Sequence, residues 1–259
     1  MKNNESKYIE DENGRFYTER IVLAEEVDFN SKWTLKSILS WMQGMAEKHS
    51  DLHGYGFDDL RAKNACWVCL RYHLKFAAFP RVYDKIHTYT WAEPARLGVY
   101  PRLFSIDNDA GQTMLRSSSI WSIIDLDTRS MVNPETLGLP PYPSRKSRSF
   151  DDLKPLSKID VPTGEIKTFK YLPVYSDFDM NGHVNNTSYL QWFDDCFSLE
   201  DHKEYEVRDL LIHYNHEVLP NIELELSLIC KDDQVYFAAD SEHGRHFQML
   251  ALMVSCKVK

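Results

Sequence analysis

Residues 177–195 read DFDMNGHVNNTSYLQWFDD. The first ten residues concentrate two carboxylates, three Asn, one His and one Gly. The rest, with the two residues that follow it, sets Tyr189, Leu190, Phe193, Cys196 and Phe197 at helical spacing, which predicts an amphipathic helix from about Asn186 to Leu199. The same writing occurs earlier in the chain. LSWM (Leu39 to Met42) lies 151 residues before LQWF (Leu190 to Phe193), and at that offset Asp28 falls on Asp179 and Asn30 on Asn181 without a gap. Around it Leu35, Ile38, Leu39, Met42, Met45 and Ala46 form a second stripe, predicting a helix from Ser31 to about His49. One pattern is used twice, and this repeat decides the fold.

Working outward, each predicted helix is followed by four strand-like segments. They are WVCLRYHLKF, KIHTYTWA, VYPRLFSI and TMLRSSSIWSIID in the first half, then VRDLLIHYNHEV, IELELSLIC, QVYFAAD and FQMLALMVSCKV in the second. Asn-Asp, Asp-Ala-Gly, Asp-Asp and Glu-His-Gly stand in the intervening turns, as hairpins require. A helix followed by an antiparallel meander buries its stripe on the concave face of that sheet. The expected fold is therefore α+β: a tandem hotdog of two long helices, each packed on an antiparallel sheet, with the sheets joined edge to edge. Residues 1–130 and 164–259 are the expected domains. Six prolines and the basic run SRKSRSF mark 131–163 as a surface linker.

Composition narrows the function classes. With 259 residues and 43% hydrophobic content the chain can bury a sizeable core. It has no apolar run of membrane-spanning length, and MKNNESKYIEDENGR has no apolar core for a signal peptide, so the expected compartment is the cytoplasm. A net charge of -9 speaks against nucleic acid as the partner. Five cysteines without framework spacing fit a reducing compartment. Cys66 and Cys69 form a C-x-x-C inside a predicted strand, where residues three apart face opposite sides and cannot share a metal. No metal and no cofactor are expected.

The two halves differ where chemistry could reside. His183 falls on Lys32, Asn185 on Thr34 and Asn186 on Leu35; aligning IHYNHEVLP (Ile212 to Pro220) with YHLKFAAFP (Tyr72 to Pro80) sets Glu217 on Ala77. Asp and Asn are favoured helix caps, and a cap alone would explain part of the stretch. It would not explain His, Asn and Asn together. Backbone N–H groups at a helix N-terminus, aided by Asn181 and His183, could stabilise a carbonyl gaining negative charge. Glu217, on a predicted strand of the same half, is the candidate base for deprotonating water. Such a set suits hydrolysis of an activated acyl group.

The string D-x-N-x-H-V-N-N-x-x-Y-x-x-W, written by Asp179, Asn181, His183, Val184, Asn185, Asn186, Tyr189 and Trp192, resembles the signature of the acyl-acyl carrier protein thioesterases of plants and bacteria. WVCLRYHLKF, KIHTYTWAEP and SSSIWSIIDLDTRSMVNP resemble that family's first domain, so the likeness runs from about Tyr17 onward. It implies hydrolysis of fatty acyl-acyl carrier protein, with catalytic residues at Asp179, Asn181, His183 and Glu217. In plant members the Glu is followed by a Cys; here Val218 follows, which leaves a Cys-centred mechanism only Cys196 or Cys230. Asp179 and Glu217 could exchange roles as base, and Glu217 could attack directly to give an anhydride. The resemblance also implies that the first domain houses the acyl chain, with Met42 and Met45 as candidate lining residues and Asn185 and Asn186 as further substrate-binding candidates. Acyl carrier protein and a fatty acyl chain are the expected partners, and a homodimer is compatible with the sequence. Arg145, Lys146 and Arg148 are candidates for docking an acidic carrier. Competing readings are an acyl-coenzyme A thioesterase and a non-catalytic acyl sensor, for which no DNA-binding segment is visible.

Overall fold

The computed structural model describes residues 8–12, 14–145 and 150–256. The chain divides into two compact units, one of Met1–Leu70 with Ala77–Lys154 and one of Arg71–Phe76 with Pro155–Lys259. Among the described residues no helix is long and apolar enough to cross a membrane.

The first unit opens with β1 (Ile9–Glu10) and β2 (Phe16–Ile21), followed by α1 (Leu35–Asp51), α2 (Phe57–Arg61) and β3 (Ala65–Phe76), whose last six residues belong to the second unit. It continues with β4 (Lys85–Ala92), β5 (Val99–Asn108) and β6 (Thr113–Asp125), in sheet order β1-β2-β4-β5-β6. α1 starts where Thr34 Oγ1 accepts the Ser37 N–H at 3.2 Å. All six stripe residues are buried, and Trp41 Nε1 donates to Thr88 Oγ1 of β4 at 3.0 Å. Each Leu, Ile or Met so covered contributes about 1.5–3 kcal/mol.

The second unit holds β7 (Ile166–Tyr171), α3 (Ser188–Asp194), α4 (Leu199–Glu204), β8 (Tyr205–Tyr214), β9 (Leu224–Lys231), β10 (Gln234–Ser241) and β11 (Gly244–Ser255). Arg71–Lys75 of β3 pairs antiparallel with β8, and the order continues β8-β11-β10-β9-β7. α3 lies on this sheet through rings. Tyr189 stacks on Phe247 with centroids 4.4 Å apart, and Phe193 meets Phe237 edge-on at 6.0 Å. In each unit a helix covers an antiparallel sheet, the α+β hotdog arrangement.

Three local expectations change. The second helix does not run to Leu199 but ends at Asp194, because Ser198 and Asp201 form a reciprocal cap that starts α4 instead, with Ser198 N–H on Asp201 Oδ2 at 3.0 Å and Asp201 N–H on Ser198 Oγ at 3.2 Å. Glu217 is not on a strand: β8 stops at Tyr214, since Asn215 N–H and His216 N–H both turn to the His246 carbonyl, at 2.8 and 3.3 Å. The segment around 131–163 is no simple surface drape. Leu137, Leu139 and Tyr142 pack on the Tyr55, Tyr100 and Ile123 cluster of the first unit, while Ile159 joins Leu211, Ile229 and Tyr236 in the second. Part of its apolar surface thus joins cores despite its prolines, while Met131, Leu156 and Val161 stay exposed. Cys66 and Cys69 are not joined by a disulfide; Cys69 is buried and Cys66 partly exposed.

Candidate active site

The turn at 178–184 is built around Asp179. Asp179 Oδ1 accepts the N–H groups of Asn181 at 2.8 Å and His183 at 3.4 Å, while the Asp179 N–H donates to the His183 carbonyl at 2.8 Å. Phe178 and Val184 close it as a bridge, and Gly182 supplies the positive φ of 76° that an L side chain adopts reluctantly. The first unit repeats this atom for atom. Asp28 Oδ1 accepts from Asn30 at 2.8 Å and Lys32 at 2.9 Å, Val27 bridges Trp33, and Ser31 takes φ 62° in the place of Gly182. The Asp179 carboxylate thus has the same turn-holding task as Asp28.

Beneath the turn lies a residue that the sequence reading passed over. Asp177, 4% exposed, accepts from Tyr171 Oη and the Val174 N–H on Oδ2, both at 2.8 Å, and from Trp192 Nε1 on Oδ1 at 3.0 Å. Its carbonyl takes the Asn185 N–H at 2.7 Å and Ser188 Oγ at 3.1 Å. Burial, then the neighbouring Asp177, pushes the Tyr171 hydroxyl up to about 12, so it remains a donor. The signal was available: at the repeat offset Asp177 meets Glu26, which in turn pairs with Arg20, the counterpart of Tyr171.

The turn brings His183 to Glu217, with Nδ1 3.5 Å from Oε1 and side chains 18% and 37% exposed. The Val184 N–H donates to the Val218 carbonyl at 3.0 Å, tying the two segments together. Asn181 stands exposed on the same turn. Other residues have different tasks. Asn185 Oδ1 accepts the Thr187 N–H at 2.9 Å and the Thr187 hydroxyl at 2.7 Å, a local cap; the Asn186 carbonyl accepts from Tyr214 Oη at 3.0 Å. α3 has seven residues, and the N–H groups of Asn185, Thr187 and Ser188 are already engaged, so little of a helix dipole is left for an oxyanion. The side chains of Asn181 and His183 are the remaining donors of the set.

Met42 and Met45 lie on α1 in the first unit, 0% and 1% exposed. Arg145 is half-buried with its guanidinium over the Trp91 ring at 5.8 Å, and Lys146 and Arg148 lie outside the described residues. Glu10, His49 and His53 in the first unit bring three ligand atoms within 4.8 Å of one another. Arg102 Nη1, which can only donate, sits 3.1 Å from His49 Nδ1, so the ring proton belongs on Nε2, pointing at Glu10 Oε1 3.5 Å away. A ring so held has no lone pair for a metal.

The acyl-ACP thioesterase N-terminal domain matches residues 14–136, and the acyl-ACP thioesterase C-terminal domain matches residues 161–249. The chain belongs to the acyl-ACP thioesterase family. It is 27% identical over 223 residues to oleoyl-acyl carrier protein thioesterase 2, chloroplastic, of Arabidopsis thaliana, covering 80% of this chain and 60% of that protein. The chain thus spans about three fifths of the length of such plant relatives. An acyl-ACP thioesterase from Bacteroides thetaiotaomicron superposes with a TM-score of 0.79 at 23% identity, covering 93% of this chain and 98% of the other. The 12:0-ACP thioesterase from Umbellularia californica gives 0.79 at 18% identity, covering 93% and 97%. At these identities the structures establish the shared fold.

Neither Cys196 nor Cys230 is a residue of the 178–184 turn. Val218, which follows Glu217, is fully buried. Cys196 sits just beyond α3, its Sγ 3.2 Å from the Trp192 carbonyl oxygen, and burial pushes the thiol up to about 11. A thiol so raised is a poor nucleophile at neutral pH.

Proposed function

We propose that the chain hydrolyses the thioester of a fatty acyl group carried on acyl carrier protein, releasing the fatty acid and the carrier thiol. The observation that carries this reading is the pairing of His183 with Glu217, 3.5 Å apart on two segments that are themselves hydrogen-bonded. Glu217 takes a proton from water as the water oxygen bonds to the thioester carbon. Asn181 and His183 donate to the carbonyl oxygen as it gains charge. Collapse of the tetrahedral adduct breaks the C–S bond, and the departing sulfur takes up a proton. Asp179 holds the turn, in the manner of Asp28, and is no base. The first unit, with Lys32 and Ala77 in place of His and Glu, has no counterpart of this pair, and its apolar α1 suits the role of acyl-chain housing.

The carrier is tested by turnover of one acyl group presented on acyl carrier protein and on coenzyme A. The expected result is a higher kcat/KM with the protein carrier; equal or better use of the coenzyme A thioester would assign the chain to the other carrier. A Cys-centred route is tested by Cys196→Ser and Cys230→Ser. Turnover should persist in the double variant, since neither thiol belongs to the turn; its loss with an unchanged melting temperature would restore a thiol mechanism.

A further inference from the structure

The loop that carries Glu217 is held from both sides by main-chain contacts. On one side the Val218 carbonyl takes the Val184 N–H, at 3.0 Å. On the other stands His246 of β11, 3% exposed. Its carbonyl receives the N–H groups of Asn215 and His216 as the chain leaves β8, and its ring reaches over the same loop, with Nδ1 3.0 Å from the Glu217 carbonyl oxygen and Nε2 2.7 Å from Ser241 Oγ.

The tautomer follows from these partners. A carbonyl only accepts, so Nδ1 carries the proton; in the neutral ring Nε2 is then an acceptor and the Ser241 hydroxyl donates to it. Ser241 Oγ in turn accepts the His243 N–H at 3.0 Å. Burial holds the ring's pKa below the usual histidine range, which keeps this single tautomer neutral. The His216 ring lies edge-on at 6.3 Å, and the His216 main chain offers the imidazole a second acceptor beside the Glu217 carbonyl.

We infer that His246 is a positioning residue for Glu217: its Nδ1–H fixes the Glu217 carbonyl, and through it the direction of the carboxylate toward His183. The inference rests on the reading of Glu217 as the base. A carboxylate on an irregular segment, not in a strand ladder, depends on such anchors, and a displacement of about 1 Å in a catalytic group can cost on the order of 10²-fold.

The test is steady-state hydrolysis of an acyl-carrier thioester by the full chain. His246→Asn retains a donor where Nδ1 stands, whereas His246→Gln places its amide near Ser241 and leaves the Glu217 carbonyl unbound. The Gln variant should lose about 10- to 100-fold in kcat with KM nearly unchanged, and the Asn variant should recover most of it. On a Glu217→Gln background, His246→Gln should lower turnover no further. Should His246→Gln fold poorly, Ser241→Ala frees the ring's other end at little cost in volume and should lower kcat in the same direction. Equal loss in the Asn and Gln variants, in step with melting temperature, would reduce His246 to a packing role. If Glu217→Gln is impaired and His246→Gln is not, the positioning inference falls while the site stands; if Glu217→Gln is fully active, both fall.

Discussion

Glu217→Gln is expected to lower turnover of an acyl-carrier thioester by about 10² to 10⁴, the usual contribution of a general base. Gln matches Glu in size and keeps one acceptor but cannot take a proton. The side chain is more than a third exposed, so the change should leave the melting temperature nearly unmoved. Substrate binding should also persist if, as proposed, the first unit houses the acyl chain. The companion variant is His183→Ala. If His183 were the base and Glu217 only its holder, His183→Ala would cost more than Glu217→Gln, and that order would reverse the assignment. Asp179→Asn keeps an acceptor for the two N–H groups of the turn and should cost less than either.

Asp177→Ala has the largest expected effect on stability. Removing the carboxylate leaves the Tyr171 hydroxyl, the Val174 N–H and the Trp192 indole N–H without their acceptor. At about 1–3 kcal/mol for each stranded donor, the loss is on the order of 3 kcal/mol or more. That is a large share of a typical domain's stability of about 5–15 kcal/mol. Asp177→Asn, which keeps one oxygen, should cost less than half as much. Denaturant unfolding measures both, and an Ala variant as stable as the parent would show that water replaces the carboxylate.

Periodicity carried most of the fold. The apolar stripe of α1 and the strands after each helix were visible because burial on one face imposes a repeat of 3.6 or 2 on the residues themselves. α3 was drawn too long because Cys196 and Phe197 continue the stripe numerically, while the competing Ser198–Asp201 cap acts locally and stops the helix. The position of Glu217 was legible from its absence in the other half, but not its backbone. Its departure from the ladder depends on the carbonyl of His246, 29 residues further on, which takes the N–H groups of Asn215 and His216, and no spacing rule encodes such a partner on the neighbouring strand. Asp177 was missed for a simpler reason: a buried acid hidden among capping residues reads like one more cap until its donors are known.

The twice-written turn supplies the polypeptide with its own reference state. Asp28 and Asp179 bind equivalent pairs of N–H groups, at 2.8 and 2.9 Å in one turn and 2.8 and 3.4 Å in the other, so removing the first carboxylate measures what the loop alone loses. Removing the second measures that same loss plus whatever the chemistry forfeits. Subtracting one from the other separates scaffold from catalyst within a single molecule, without recourse to a second protein whose background differs everywhere.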